Sequence, residues 1–253
     1  MRRGDGFEFA QLRGYVPGDD PRRIDWAASA RSGTLQTRLF VEESGLTLAA
    51  VVDASASMRI GRSRSLAEAA DAALAVWFGI AEAGDRCVRV DAGGIVAGEG
   101  LRGLDAARAC LAVSLRESGD GRPSDRPFVA ALRTAATLLP RGSALLAITD
   151  GWEFDDGDQD LLAASAWRHD CTLLLARDPW ADAFPLRGFV RLRDAESGIV
   201  QRFFIDDAAA RRLCDAQARR EHGILQRVRS CGWRAAVLTE ERAEHAVYDA
   251  FGL

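Results

Sequence analysis

The stretch Leu46 to Met58, LTLAAVVDASASM, constrains the fold of this chain more than any other. An apolar, β-branched run ends abruptly in Asp53, with Ser55 and Ser57 at alternate positions after it. Alternate residues of an extended segment point the same way. The run therefore predicts a buried strand that delivers three oxygen side chains into the loop at its carboxyl end. Leu145 to Gly151, LLAITDG, repeats the design and ends in Thr149, Asp150 and Gly151. Open α/β sheets place ligand sites at the carboxyl ends of their strands, and hard divalent cations take oxygen ligands. Two such strand ends predict one shared, magnesium-type site.

From Leu46 onward, strand-like and helix-like patterns alternate, the signature of an α/β protein with a mainly parallel sheet. Leu66, Ala70, Ala73, Leu74, Trp77 and Ala81 share one face of a helix spanning roughly residues 63–83. Residues 86–90 read as a strand, with Ile95 and Val96 continuing a hairpin. Helices are predicted over 104–115, from Phe128 to Leu139 with Pro127 in the first turn, and over 160–167. Residues 171–176 form another buried strand. Residues 186–205 break the alternation and read as an antiparallel hairpin. Asp206 or Asp207 then caps a long helix to about Arg229, followed by a strand over 233–239 and a closing helix over 242–251. Before Leu46 lies a polar, turn-rich leader with one strand at 34–40. The predicted division is an N-terminal extension, 1–45, and an α/β domain, 46–253.

Composition removes several function classes. The chain has no lysine, which excludes Schiff-base and P-loop lysine chemistry. A net charge of −4 argues against nucleic acid as a partner. The five cysteines are widely spaced and form no CxxC pair, so they read as small buried thiols in a reducing compartment. No apolar run approaches the ~18–20 residues of a membrane span, and MRRGDGFEF lacks a signal-peptide core. A cytoplasmic protein is expected. His169, His222 and His245 fit no zinc or triad spacing and read as surface or helix-end residues.

The D-x-S-x-S loop after the first core strand, with T-D-G after a later one, resembles the von Willebrand factor A fold and its metal-ion-dependent adhesion site. The leader is similar to that of a bacterial family of unknown function, number fifty-eight in the domain series, associated with MoxR-type AAA+ ATPases. Phe9, Leu12, Arg13, Tyr15, PGDDPRRIDWAASARSG from Pro17 to Gly33, and VVDASASM from Val51 to Met58 carry this likeness. Asp194, Glu196 and Gly198 resemble the family's late hairpin. The resemblance implies that Ser55 and Ser57 ligate Mg2+ or Mn2+ directly, and that Asp53 and Asp150 act largely through water. Two hydroxyls and water-mediated carboxylates leave such an ion under-neutralised, so it attracts an acidic residue of a protein partner. The implied role is non-enzymatic: protein interaction in assembly or maturation of other proteins, beside a MoxR-type ATPase.

One position departs from the adhesion-site pattern. A threonine is expected before the third helix, and an ungapped reading of GRPSDRPFVAAL puts Arg126 there. An arginine at that point repels or replaces the cation; Ser124 or Asp125 supplies the oxygen if the loop shifts. The competing reading of the site is a magnesium-dependent hydrolase or phosphoryl-transfer enzyme with Asp53 as nucleophile. Against it, Ser55 stands where a haloacid-dehalogenase-like site has its second aspartate. Arg22, Asp25, Trp26 and Arg31 form a candidate partner-binding cluster, with a structural alternative in which Trp26 packs on the domain and the charges pair locally. The acidic run Glu153, Asp155, Asp156, Asp158 and Asp160 reads as a solvated rim and helix cap, because Leu161 stands where a calcium loop needs glycine. The arginines of the long helix read as a solvated face.

Overall fold

The computed structural model describes residues 7–42, 45–113 and 126–253. The chain divides into two units, Met1–Gly45 and Leu46–Leu253. In the first, β1 (Phe7–Gly14) pairs antiparallel with β2 (Gln36–Glu42). Between them come a 3-10 turn at Pro21–Arg23 and α1 (Trp26–Ser32). Asp25 caps α1 by accepting from the Ala28 N–H at 2.9 Å, and Gly33, at φ 70°, ends it in the left-handed conformation glycine tolerates. The expected strand near 34–40 is β2, and before it the leader holds a further strand and a helix where turns were expected.

The second unit is built on β3 (Thr47–Val52), α2 (Leu66–Gly79), β4 (Arg86–Asp91), β5 (Gly94–Ala97), α3 (Gly103–Ala112), α4 (Pro127–Leu138) and β6 (Ala144–Thr149). It continues with α5 (Gln159–Arg168), β7 (Asp170–Ala176), the hairpin strands β8 (Gly188–Arg193) and β9 (Val200–Ile205), α6 (Asp207–Ser230), β10 (Arg234–Leu238) and α7 (Ala243–Phe251). Six strands form one sheet in the order β10-β7-β6-β3-β4-β5, parallel throughout except for β5. The expected α/β fold with a mainly parallel sheet and a late hairpin is what the chain adopts. The hairpin forms a separate two-stranded sheet.

Period-two alternation in the central strands feeds two apolar layers. Leu48 and Ala50 of β3, with Leu146 and Ile148 of β6, face one core shared with Ala70, Leu74 and Phe78 of α2 and Ala246 of α7. Ala49, Val51, Leu145 and Ala147 face the other, against Phe128 and Leu132 of α4 and Val228 of α6. Strands buried on both faces need near-continuous apolar sequence, which is why LTLAAVV and ALLAIT contain so little polarity. Small β3 residues let helices approach closely, and the Trp77 indole N–H donates to the Ala49 carbonyl at 3.2 Å.

Helix α2 starts three residues later than its apolar spacing suggests. Ser65 and Glu68 form a reciprocal capping box, which fixes the first turn. The expected Asp206 cap of α6 is present, accepting from the Ala209 N–H at 2.6 Å.

Strand order places the functional edge. From β3 the chain winds one way, through α2 to β4 and β5. It then returns to β6 on the other side of β3 and winds outward to β7 and β10. The switch point lies between β3 and β6, where crevices open in doubly wound sheets. Val52 pairs with Ile148, and the Asp53 N–H donates to the Ile148 carbonyl at 2.8 Å. The two acidic strand ends are neighbours for that reason.

Candidate functional site

Asp53 is 2% exposed and both of its carboxylate oxygens are engaged. Oδ1 accepts from the Ser55 N–H at 2.9 Å, and Oδ2 from the Thr149 hydroxyl at 2.6 Å. Thr149 in turn accepts from the Gly151 N–H at 2.9 Å, so the β6 end is stitched to the β3 end through one hydroxyl. The Ser55 and Ser57 hydroxyls stand 3.0 Å apart. A 3-10 turn at Ala56–Arg59 follows, anchored by fully buried Met58. The structure brings Asp53, Ser55, Ser57 and Asp150 to one sheet edge.

Asp150 is buried and its Oδ1 accepts from the Trp152 N–H at 3.0 Å. Burial pushes its carboxyl above the ordinary aspartate value; the Ser57 hydroxyl opposes the rise and the Asp53 charge adds to it. Glu153 is raised for the same leading reason, and again Asp53 contributes. Its carboxylate accepts from the Val129 N–H of α4 at 3.1 Å. Gly151, at φ 74°, turns the chain sharply after Asp150. A Cβ there would lie 2.9 Å from Ile224 Cδ1 and 3.0 Å from Leu175 Cδ1. Only glycine gives both the backbone and the close approach.

Arg220 of α6 completes the rim. Its guanidinium stacks 3.8 Å over the Trp152 ring and donates to the Asp150 carbonyl at 3.2 Å. Burial lowers its pKa, against the pull of Asp150. A cleft of about 30 Å³ beside it is lined by Ser57, Ile60, Asp150 and Trp152, among others.

The donor set suits a hard cation: two neighbouring hydroxyls beside the buried carboxylates of Asp53 and Asp150, the Asp53 charge adding to the rise of Asp150. Among the described residues, no group of three or more His, Cys, Asp or Glu could hold a metal unaided. An ion here therefore depends on Ser55 and Ser57.

Arg126 stands outside this picture. Its guanidinium pairs with Asp158, which is buried, and with Asp155 at 3.0 Å, and its Nε donates to the Glu153 carbonyl at 2.9 Å. These contacts make it a clamp on the loop after β6. Asp158 is correspondingly no member of a solvated rim, since Arg126 and the Asp155 N–H occupy it. Ser124 and Asp125 lie outside the described residues.

In the leader cluster, one charge pairs locally, as the structural alternative expects. Asp25 is a helix cap and pairs with Arg38 at 2.9 Å; the Ala28 N–H, then Arg38, holds its carboxyl below the usual range. The Trp26 ring is exposed at 68%. Arg22 lies in the 3-10 turn and Arg31 in the last turn of α1; both are exposed. Asp25 is thus structural, and the other three form an open surface of the first unit.

Other side chains also depart from expectation. His169 is a helix-end residue, as expected, at the C-terminal cap of α5, but it is buried, and burial lowers its pKa. The arginines of α6 are not simply solvated: Arg220 reaches the site, Arg227 pairs with Asp156, and Arg229 donates to the Ala235 carbonyl at 2.8 Å.

Glu240, two residues after β10, was not singled out by any motif. Its buried carboxylate accepts from the N–H groups of Arg62, Ser63 and Arg64 and from the Ser63 hydroxyl, at 2.7–3.1 Å. Burial alone would raise its pKa, but these donors outweigh burial and take it down to about 2. It latches the chain directly after the serine loop. The signal was only an acidic pair, Glu240 and Glu241, after a predicted strand, which is too common to discriminate.

Fold and strand-end geometry together define an α/β domain with a mainly parallel sheet whose acidic strand ends meet at its switch point. The chain belongs to the family described as protein of unknown function DUF58, which its residues 11–223 match. It is 32% identical over 238 residues to uncharacterized proteins of Mycobacterium bovis (Mb1516) and Mycobacterium tuberculosis (Rv1480), covering 90% of this chain and 73% of each relative. Two solved structures are also similar in shape. One is an aerotolerance-related membrane protein from Bacteroides fragilis, at 17% identity, and the other is BatB from Bacteroides thetaiotaomicron, at 16%. Each has a TM-score of 0.46 and covers 82% of this chain and 98% of its own. Among the described residues, no helix is long and apolar enough to cross a membrane.

Proposed function

We propose that this chain is a non-enzymatic protein-interaction module that grips an acidic residue of a partner through a divalent cation at the β3–β6 edge. Ser55 and Ser57 would hold Mg2+ or Mn2+ directly, with Asp53 and Asp150 acting through water. The observation that carries the reading is the pairing of two neighbouring hydroxyls with the buried carboxylates of Asp53 and Asp150, the first of which repels the second, at the sheet's switch point. A cation relieves that repulsion, and its residual charge recruits a carboxylate from outside. Both Asp53 oxygens are held by hydrogen bonds in a 2% exposed side chain, which supports binding over nucleophilic attack.

The family resemblance points to a MoxR-type AAA+ ATPase as the working partner, with this chain supplying recognition in assembly or maturation of client proteins. Co-purification tests this. The ATPase should be retained by the wild-type chain in magnesium and released by a chelator, and Asp53→Ala should not retain it. Retention unaffected by both treatments would overturn the cation bridge.

A further inference from the structure

The tip of the β8–β9 hairpin reaches the same edge. Glu196, in the turn between the strands, accepts from the Ser57 N–H through Oε1 at 2.8 Å, across 139 residues of sequence. The turn is built to present it. Asp194 accepts from both the N–H and the hydroxyl of Ser197 at 2.6 Å, and the Gly198 N–H closes back on the Asp194 carbonyl at 3.0 Å. These bonds fix the residues on either side of Glu196 and leave its own carboxylate for Ser57.

The rest of the hairpin is loosely held. It belongs to no larger sheet, and Phe189 and Phe204, whose ring centroids are 5.0 Å apart, are 90% and 61% exposed. Two-stranded hairpins are marginal on their own. At its base, Ile205 is buried and Arg187 pairs with Asp207 at 2.7 Å. The segment leading into it places Trp180 4.4 Å under the Arg62 guanidinium, beside the same serine loop. A weak ribbon anchored at its base and held at its tip by one carboxylate has the properties of a latch.

We infer that Glu196 is the site's own occupant: the hairpin tip sets a carboxylate where a partner's acidic residue would approach, and the partner must displace it. The carboxylate's role toward a cation rests on the function proposed above; the contact with Ser57 does not. An outside carboxylate and Glu196 cannot both take the Ser57 N–H, so the latch sets a threshold against weak or incidental acidic ligands.

Glu196→Ala tests this with two readouts on the full chain. Its side chain is exposed and the turn is held by Asp194 and Ser197, so the variant should fold. Hydrogen exchange at the Ser57 amide, without metal, should be at least about fivefold faster than in wild type. In Mn2+ titrations the variant should bind about tenfold more weakly, and tens of millimolar acetate should restore its affinity while leaving wild type unchanged. Unchanged Ser57 exchange overturns the latch. Faster exchange with Mn2+ affinity equal to wild type, and insensitive to acetate, overturns the carboxylate's role as occupant. Faster exchange with no Mn2+ bound by either protein upholds the latch and refutes the proposed cation instead.

Discussion

Replacing Glu240 by glutamine should loosen the serine loop and do so only where the carboxylate is ionised. The side chain is 4% exposed and receives four donors from residues 62–64. Glutamine offers one acceptor oxygen and turns an N–H2 toward donors that need an acceptor. The drop from 4.5 to about 2 corresponds to about 3 kcal/mol of stabilisation. Solvent close to this loop screens part of it, leaving about 1–2 kcal/mol. For a domain of this size that lowers the melting temperature by roughly 2–8 °C.

The sign follows from a depressed carboxyl. The contribution is complete above the unfolded value near 4.5 and disappears as pH falls toward about 2. Urea unfolding of wild type and Glu240→Gln at pH 7 and pH 3 measures it. The free-energy gap should be present at pH 7 and clearly smaller at pH 3. A gap of the same size at both values would refute the argument that ionised Glu240 holds the loop.

Other consequences are as direct. Gly151→Ala should cost about 1–3 kcal/mol in chemical unfolding, because a Cβ there meets two buried methyls at φ 74°. Cys87 is pushed up to about 11, and Cys110 and Cys171 to about 12, by burial. A thiol reagent at pH 8 should therefore titrate Cys214 and Cys231 in the native protein and all five only after unfolding. Asp150 and Glu153, both raised, favour the folded state below their folded pKa values and lose that advantage as pH rises through them. Magnesium at 10 mM should then raise the melting temperature at pH 7 by roughly 3–6 °C, for a Kd of about 1 mM, and by less at pH 5.

The fold was legible where one physical rule dominated. Doubly buried strands need unbroken apolar runs, so β3, β6 and β7 stood out, and their carboxyl ends located Asp53 and Asp150 without coordinates. The hairpin was visible because its alternation breaks the α/β rhythm. What remained hidden was set by distant partners. Arg126 pairs with Asp155 and Asp158, 29 and 32 positions on. Arg220 was one arginine among many until α6 laid it across Trp152. Glu196 and Glu240 act on residues 139 and 177 positions away. No local spacing encodes such a contact; the strand order does.

A calorimetric titration of Mg2+ and Mn2+ into wild type and Asp53→Ala tests the central claim most directly, with Asp53→Asn as the variant that keeps the shape of the side chain and one of its two acceptor oxygens. One-site binding by wild type, with a Kd of about 1 mM or tighter, and at least tenfold weaker binding by both variants, is the predicted result. Wild type that binds neither ion at 20-fold that concentration (roughly 20 mM) would contradict a cation at this edge.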